Sequence, residues 1–217
     1  DFLKKRMKRI EGLSKVPKDM RNDYEVYRLA IRKIASNTNE RTLISSMLPC
    51  NALAGHSLSV SFPFCQVAAN YNQLQMSYQD TLILIALLNS FVADYVLRSR
   101  MTTNLSLYYL YQLPIPRLSK GDRFYAEILE RTAKLICTTP AFDDLAHEVG
   151  LGSHQAGITN EVQRARLRAE LDGMIAHIYG LSEAEFAYIL NAFPLVSEPV
   201  KVAAQNAYRD VERGLIK

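Results

Sequence analysis

Alternation of apolar and polar residues, with the two-residue period of a β-strand, runs through the first part of the chain. Three segments carry this pattern: residues 27–32, 41–48 and 58–62. In the first segment Leu29 and Ile31 alternate with arginines, which predicts a strand with one charged face. The polar segment 36–40 has the composition of a turn. We therefore predict a small antiparallel meander over residues 27–64.

A helical period comes next, in the longest apolar run of the chain, residues 81–97. Its apolar positions recur every three or four residues, which predicts one buried helix with Asp80 as its N-cap. The run is interrupted by polar residues and is shorter than the roughly 18–20 residues that cross a bilayer, so we expect no membrane span. Farther along, the aromatic segment from Tyr108 to Leu113 predicts a short strand.

The remainder of the chain has helical spacing. It predicts three helices, over residues 123–137, 161–179 and 200–213. Asn160 is the expected N-cap of the second helix, and Gly180 is its expected stop. A shorter helix is predicted to open at Ser182, which forms a capping box with Glu185. At the other end of the chain, residues 1–15 predict a basic amphipathic helix or linker.

These elements predict an α+β fold: a small antiparallel β module with a long buried helix, followed by a helical module. We divide the chain into a basic linker or helix from a preceding domain (1–23), a strand-and-helix module (24–118) and a helical packing module (119–217). The composition agrees with this fold class. The 217 residues are 48% apolar and 22% charged, which is typical of one or two globular domains.

Residue patterns that carry chemistry are sparse. Cys50, Cys65 and Cys137 include no CxxC pair, which argues against a zinc ribbon and favours small buried thiols in a reducing cytoplasm. The four histidines lack metal-ligand spacing. The sequence has no phosphate-binding glycine loop, no nuclease motif and no hydrolase elbow. We therefore expect neither a metal site nor a catalytic centre, and the chain alone is not expected to be an enzyme.

Charge is unevenly distributed along the sequence. Residues 1–41 carry a net charge of +6, residues 42–141 carry +2 and residues 142–217 carry −4. The basic N-terminal part and the acidic C-terminal part suggest that one surface faces a polyanion and that another surface faces a different partner. A solvated charged helix at the start of the chain explains the same charges equally well.

Three segments together resemble a known family. They are YRLAIRKIASNTNERTLISSMLPCNALAGHS (27–57), ALLNSFVADYVLRSRMTTNLSLYYLYQLPIPRL (86–118) and LRAELDGMIAHIYGLSEAEFAYILNAFP (167–194). In this order they resemble the specificity region and helical tail of DNA adenine methyltransferases of type IIG restriction–modification systems and related phage-defence methylases. The resemblance covers most of residues 24–195. It implies sequence-specific recognition of a DNA target.

In that family the catalytic domain precedes the specificity region. It carries a cofactor-binding glycine motif and an Asn/Asp-Pro-Pro-Tyr/Phe motif, and neither motif occurs here. The resemblance therefore implies a C-terminal fragment, consistent with a sequence that begins at Asp1. It also implies a cytoplasmic parent enzyme that uses S-adenosylmethionine. The resemblance leaves open whether that enzyme cleaves DNA as well as methylating it. The implied partners are double-stranded DNA and the N-terminal methyltransferase domain, with no membrane.

A target-recognition module needs cations for phosphates and Arg, Lys, Asn or Gln for base edges. The first candidates for phosphate contact are the cations of the N-terminal segment: Lys4, Lys5, Arg6, Lys8 and Arg9. The second group lies on the first strand and its hairpin turn: Arg28, Arg32, Lys33, Asn37, Asn39 and Arg41. The third group follows the buried helix: Arg98, Arg100, Thr102, Thr103 and Asn104.

Each group also has a structural interpretation. The N-terminal cations are equally consistent with a linker helix packed on a missing domain. Asparagines in turns often serve backbone geometry, and cations at the end of a helix often serve its dipole. For Tyr108, Tyr109 and Tyr111 we favour packing over base stacking. The alternative function for the whole chain is a helical protein–protein assembly domain that binds no DNA.

Overall fold

The computed structural model describes residues 2–101 and 104–216. Within them lie three strands: β1 (Arg28–Arg32), β2 (Ser45–Leu48) and β3 (Leu58–Val60). The helices of the first half are α1 (Phe2–Met7), α2 (Tyr78–Leu88), α3 (Phe91–Arg98) and α4 (Leu107–Leu110). Those of the second half are α5 (Tyr125–Ile136), α6 (Asp143–Glu148), α7 (Glu161–Ile178), α8 (Glu183–Asn191) and α9 (Glu198–Glu212). The predicted α+β class is confirmed.

The sheet is antiparallel, as predicted, but it is not a meander. Its strand order is β2-β1-β3, so β1 lies in the centre and pairs with both neighbours. Arg28 pairs with Leu48 on one side, and Arg32 pairs with Leu58 on the other. Because β2 ends near the start of β1 while β3 begins near its end, residues 49–57 run back along the sheet. A tight hairpin would need only two to five residues, and this connection is longer.

The predicted long helix is two helices, α2 and α3, with axes bent by 61° at Asn89 and Ser90. Asn89 turns its amide towards β2, where Oδ1 accepts from the Ser45 N–H at 2.8 Å and Nδ2 donates to the Ser45 carbonyl at 2.9 Å. Ser90 caps α3 by accepting from the Ala93 N–H. The two polar side chains thus end one helix and begin the next. The N-cap of α2 is Ser77 rather than the predicted Asp80.

No single helix within the described residues is long and apolar enough to cross a membrane. Taken together, α2 and α3 have the length and apolar composition of a membrane span, but their axes are bent by 61° relative to each other.

The predicted aromatic strand is also wrong, because residues 107–110 form the single turn of α4. Ser106 precedes this turn and accepts a hydrogen bond from the Tyr108 N–H at 3.2 Å. The serine cap therefore outweighs the β-propensity of the tyrosines. At the start of the chain, α1 ends at Met7, well before the end of the predicted basic helix.

The predicted helices of the second half are confirmed as α5, α7, α8 and α9. Asn160 caps α7 by accepting from the Gln163 N–H, and Gly180 follows the helix with a left-handed φ of 68°. Ser182 and Glu185 form the predicted capping box of α8. These local signals worked because cap side chains and their backbone partners lie within one turn of each other.

The apolar core is shared between the two predicted modules. One cluster combines Ile83 and Leu87 of α2 with residues of α5 and α7. Another combines Phe91 and Val92 of α3 with residues of α7, α8 and α9. The helices after residue 118 therefore pack directly on α2 and α3. The division of the chain at residue 118 stays a prediction.

We expect the substitution Gly173→Ala to lower the free energy of unfolding by roughly 1–3 kcal/mol. A Cβ at this position of α7 would lie 2.7 Å from the Tyr208 nitrogen and 2.8 Å from the Ala207 carbonyl carbon of α9. Both contacts are with backbone, so relief requires the two helices to separate. Urea unfolding measures the change. The control is Gly55→Ala, whose Cβ would meet no atom within 4 Å, and an equal loss in both variants would contradict the prediction.

Candidate nucleic-acid interface

Three loops meet where β1 ends and β2 and β3 begin. We call this region the loop edge and define it as residues 33–44, 54–57, 99–101 and 104–106. The Lys33 N–H donates to the Ser57 carbonyl at 2.8 Å, and the Leu105 N–H donates to the Lys33 carbonyl at 2.9 Å. A β-bridge joins Ile34 to Asn104. The topology thus brings the loop with Lys33, Asn37 and Asn39 of the second group next to Asn104 of the third group, about 70 residues later in the sequence.

Arg98 joins these two groups from inside. Its Nη2 donates to the carbonyls of Asn37 and Asn39 at 2.9 and 2.8 Å, and its guanidinium carbon lies 4.1 Å from the centre of the Phe193 ring. Burial lowers the pKa of Arg98, and the nearby Asp94 carboxylate opposes that shift. The Arg98 guanidinium is therefore buried and holds the turn in place, and its DNA contact stays a prediction.

Arg41 is likewise committed to the fold. Its Nε donates to Asp94 Oδ2 at 3.0 Å, and its guanidinium lies 4.0 Å from the centre of the Phe91 ring. Its Nη2 also donates to the Asn89 carbonyl. Asp94 is fully buried and accepts a further hydrogen bond from the Thr42 N–H at 3.0 Å. This pair anchors the end of the 36–40 turn to α3, and the DNA contact of Arg41 stays a prediction.

The turn itself presents exposed amides. Asn37 and Asn39 are both exposed. Asn39 Oδ1 accepts from the Ser36 N–H at 2.7 Å, so this oxygen serves the backbone geometry of the turn. Asn104, across the bridge from Ile34, is exposed as well. Amide groups on a rigid exposed turn are suited to pairing with hydrogen-bonding groups of a ligand.

Cations flank these amides. Lys33 lies beside His56, with its Nζ 3.4 Å from His56 Nε2, and Arg100 is exposed after α3. Arg32 is half-buried and donates to the Arg41 carbonyl, while its Nε has no hydrogen-bond partner among the described atoms. Sequence reasoning missed His56 as a member of this surface. Its position depends on the strand order, for which the local sequence carries no signal.

The N-terminal candidates lie at the other end of the sheet, near the start of β1. Arg6 is buried, lies over the Phe64 ring and binds Asp23 and two backbone carbonyls. Arg9 pairs with the same Asp23 carboxylate. Both guanidinium groups therefore have partners within the fold, and their phosphate contacts stay predictions. Three cations of this group are exposed: Lys4, Lys5 and Lys8.

Arg28, the first residue of β1, is also internal. Its side chain is buried and donates to the Ala52 carbonyl, and burial lowers its pKa against the opposing charge of Asp23. The alternating pattern placed it on a charged solvent face, whereas the connection after β2 covers it. Thr102 and Thr103 lie outside the described residues.

Two tyrosines next to the loop edge are unexpectedly exposed. Tyr108 and Tyr111 of the α4 region are 67% and 79% exposed, whereas Tyr109 packs against the apolar cluster beneath them. The expectation that all three tyrosines pack is therefore wrong for two of them. A helical spacing with Ser106 as its cap is the sequence signal that would have separated the inward residues from the outward ones.

The described residues contain no cluster of three or more His, Cys, Asp or Glu side chains that could hold a metal ion. Asp143 Oδ1 accepts from the His154 backbone N–H at 2.9 Å and lies 2.7 Å from His154 Nδ1, and these hydrogen bonds lower the pKa of Asp143. Comparison with known proteins gives no match to any protein-family model, any curated protein or any solved structure. The function must therefore be inferred from the chain itself.

Proposed function

We propose that this chain binds double-stranded DNA through the loop edge, as the target-recognition part of a restriction–modification or phage-defence adenine methyltransferase. One observation supports the DNA contact: the exposed amides of the 36–40 turn lie at the same edge of the sheet as the unburied cations Lys33 and Arg100, and hydrogen bonds from Arg98 tie this turn to α3. The assignment to a methyltransferase rests on the resemblance of the three sequence segments. S-adenosylmethionine and the reacting adenine would belong to the preceding domain, and the parent enzyme would act in the cytoplasm.

The two kinds of side chain have different tasks in this proposal. Lys33 and Arg100 neutralise phosphates, which gives affinity without sequence information. Asn37, Asn39 and Asn104 offer amide groups to base edges, which gives specificity. Arg98 and the Arg41–Asp94 pair contact no DNA. They hold the turn, so that its amides are already ordered before DNA binds.

We expect the double variant Lys33→Ala/Arg100→Ala to bind mixed-sequence duplex DNA more weakly than the unmodified chain. Each neutralised phosphate contributes about 0.9 to the slope of log affinity against log salt concentration, so the slope should fall by about 2. Fluorescence anisotropy across a salt series measures both quantities. The matched control is Arg168→Ala/Arg213→Ala, which removes the same charge from exposed positions on α7 and at the end of α9.

Two results would contradict this proposal. One is equal weakening in the two double variants, since that would reflect net charge rather than a site. The other is a complete absence of binding at low salt. The N-terminal cations are tested in the same assay by Lys4→Ala/Lys5→Ala/Lys8→Ala, which separates a second phosphate contact from the loop edge.

A second candidate function is protein–protein assembly, and one observation favours it. A cleft of about 1270 Å³ lies among β2, α2, α5, α7 and α9. Its rim includes three exposed apolar side chains, Val162, Val200 and Leu215. An assembly domain would associate in a salt-insensitive way through such a surface, because apolar burial does not depend on counterion release. Light scattering over the salt series distinguishes this outcome from DNA binding.

A further inference from the structure

α4 presents a pair of aromatic rings to solvent. Tyr108 and Tyr111 are three residues apart, so they project from the same face of this helical turn. The opposite face is half-buried, since Tyr109 and Leu110 pack on the apolar cluster that includes Leu97. The Tyr108 ring meets the Tyr109 ring edge-on at 5.5 Å between ring centres. The exposed pair is therefore backed by a packed residue and does not belong to a loose loop.

This tyrosine pair lies next to the cations of the loop edge. The Leu105 N–H contacts the Lys33 carbonyl, and Tyr108 follows Leu105 by three residues. Three residues span at most about 11 Å between Cα atoms, so Tyr108 lies within that distance of Leu105, the residue bonded to Lys33. The exposed side chain of Ile34 lies on the same loop. Positive charge and flat apolar surface are thus adjacent.

We infer that Tyr108 and Tyr111 form a stacking site for unpaired nucleobases, with the loop-edge cations holding the adjoining phosphates. The inference rests on the proposed function and adds to it the state of the nucleic acid, a duplex with locally unpaired bases. Fully paired bases are stacked on each other and offer few free faces. An unpaired base has a free face, and a tyrosine ring beside a cationic groove is the arrangement that proteins use to bind it.

The positive charge near Tyr108 and Tyr111 favours nucleic acid over a protein as the partner of this surface. Exposed tyrosines also occur at the centres of protein interfaces, but the cores of those interfaces are depleted of charged residues. Here Leu105, three residues before Tyr108, is hydrogen-bonded to the Lys33 backbone, and no acidic side chain other than Glu40 occurs in the described segments of the loop edge. A polyanion that also carries flat aromatic groups matches both features, and nucleic acid is such a ligand.

The test compares two DNA molecules of equal length and charge, a complete duplex and the same duplex with a short central mismatch bubble. Fluorescence anisotropy with the whole chain gives both affinities. We expect Tyr108→Ala/Tyr111→Ala to lose affinity for the bubble about tenfold or more, with little change for the complete duplex. Tyr108→Phe/Tyr111→Phe should keep the affinity, because the stacking ring is retained. The control is Tyr188→Ala, at a tyrosine that is 68% exposed on α8.

The outcomes separate this inference from the proposed function. If the alanine pair binds bubble and duplex as tightly as the unmodified chain does, the stacking site is overturned while duplex recognition stands. If Tyr188→Ala loses as much bubble affinity as the alanine pair, the site is also overturned. If the unmodified chain binds neither DNA, both proposals fail. Thermal unfolding of each variant should be unchanged, since the replaced rings are exposed.

Discussion

We expect Asp94→Ala to lower the free energy of unfolding by about 3–5 kcal/mol, the cost of leaving one member of a buried ion pair without its partner. Asp94 is fully buried, and its loss removes the acceptor for Arg41 Nε and for the Thr42 N–H. We expect a value near the lower end of that range. The Arg41 side chain is 22% exposed, so water can partly hydrate its guanidinium when Asp94 is removed. Urea unfolding followed by circular dichroism gives the value.

The control for this variant is Glu40→Ala, which removes an exposed acid two residues before Thr42. Substitutions at such surface positions usually change stability by no more than about 0.5 kcal/mol. Asp94→Asn keeps an acceptor for the Thr42 N–H but loses the charge, so it should fall between the two alanine variants. A loss in Asp94→Ala no larger than that in Glu40→Ala would show that the Arg41–Asp94 pair does not anchor the turn.

Asp172→Asn is expected to change how stability depends on pH. Asp172 of α7 lines the large cleft and accepts from the Phe91 N–H at 2.8 Å through Oδ1. Burial raises its pKa from 3.8 to about 6, against the opposing effects of Arg41 and the Phe91 N–H, and Asp94 adds to the rise. The folded state therefore binds a proton more tightly than the unfolded state does.

The sign of the effect follows from that difference. A carboxyl group with a raised pKa stabilises the fold below its unfolded pKa, and this contribution is lost as pH rises through the folded value. Two pKa units correspond to about 3 kcal/mol. The free energy of unfolding of the unmodified chain, measured relative to Asp172→Asn, should therefore fall by about 3 kcal/mol between about pH 3 and pH 7.

Glu170, two residues earlier on α7, provides a contrast of opposite sign. Burial alone would raise its pKa, but hydrogen bonds from Arg131 and Arg166 outweigh burial and lower it. The stability that Glu170 contributes should therefore be present above its unfolded pKa and lost as pH falls, and Glu170→Gln should remove it. Urea unfolding at both pH values measures the two variants. The same pH trend in both would contradict the assigned environments.

Local interactions explain which elements could be predicted from the sequence. The caps at Asn160 and Ser182 involve partners within one helical turn, so their residue types were sufficient. The break at Asn89 was not predictable in this way, because it depends on a contact with Ser45, 44 residues away. The strand order has the same origin, since it depends on the path of the long connection after β2.

The site was predicted in part for a related reason. The sequence identifies candidate DNA-binding residues by their charge. Charge alone does not distinguish a guanidinium that is exposed to solvent from one that donates to buried carbonyls. Arg28, Arg41 and Arg98 found internal partners, whereas Lys33 and Arg100 did not become buried. Arginine has the larger planar group and five donors, which suits it to both settings.

The side-chain amide of Asn89 affects how readily β2 can pair with a strand of another copy of this chain. β2 lies at the edge of the sheet, and an edge strand with open N–H and C=O groups is a template for pairing with another chain. Asn89 occupies both groups of Ser45, so it takes the place that a peptide unit of a neighbouring strand would fill. The helix break therefore also protects the sheet from growing by edge-to-edge aggregation at β2.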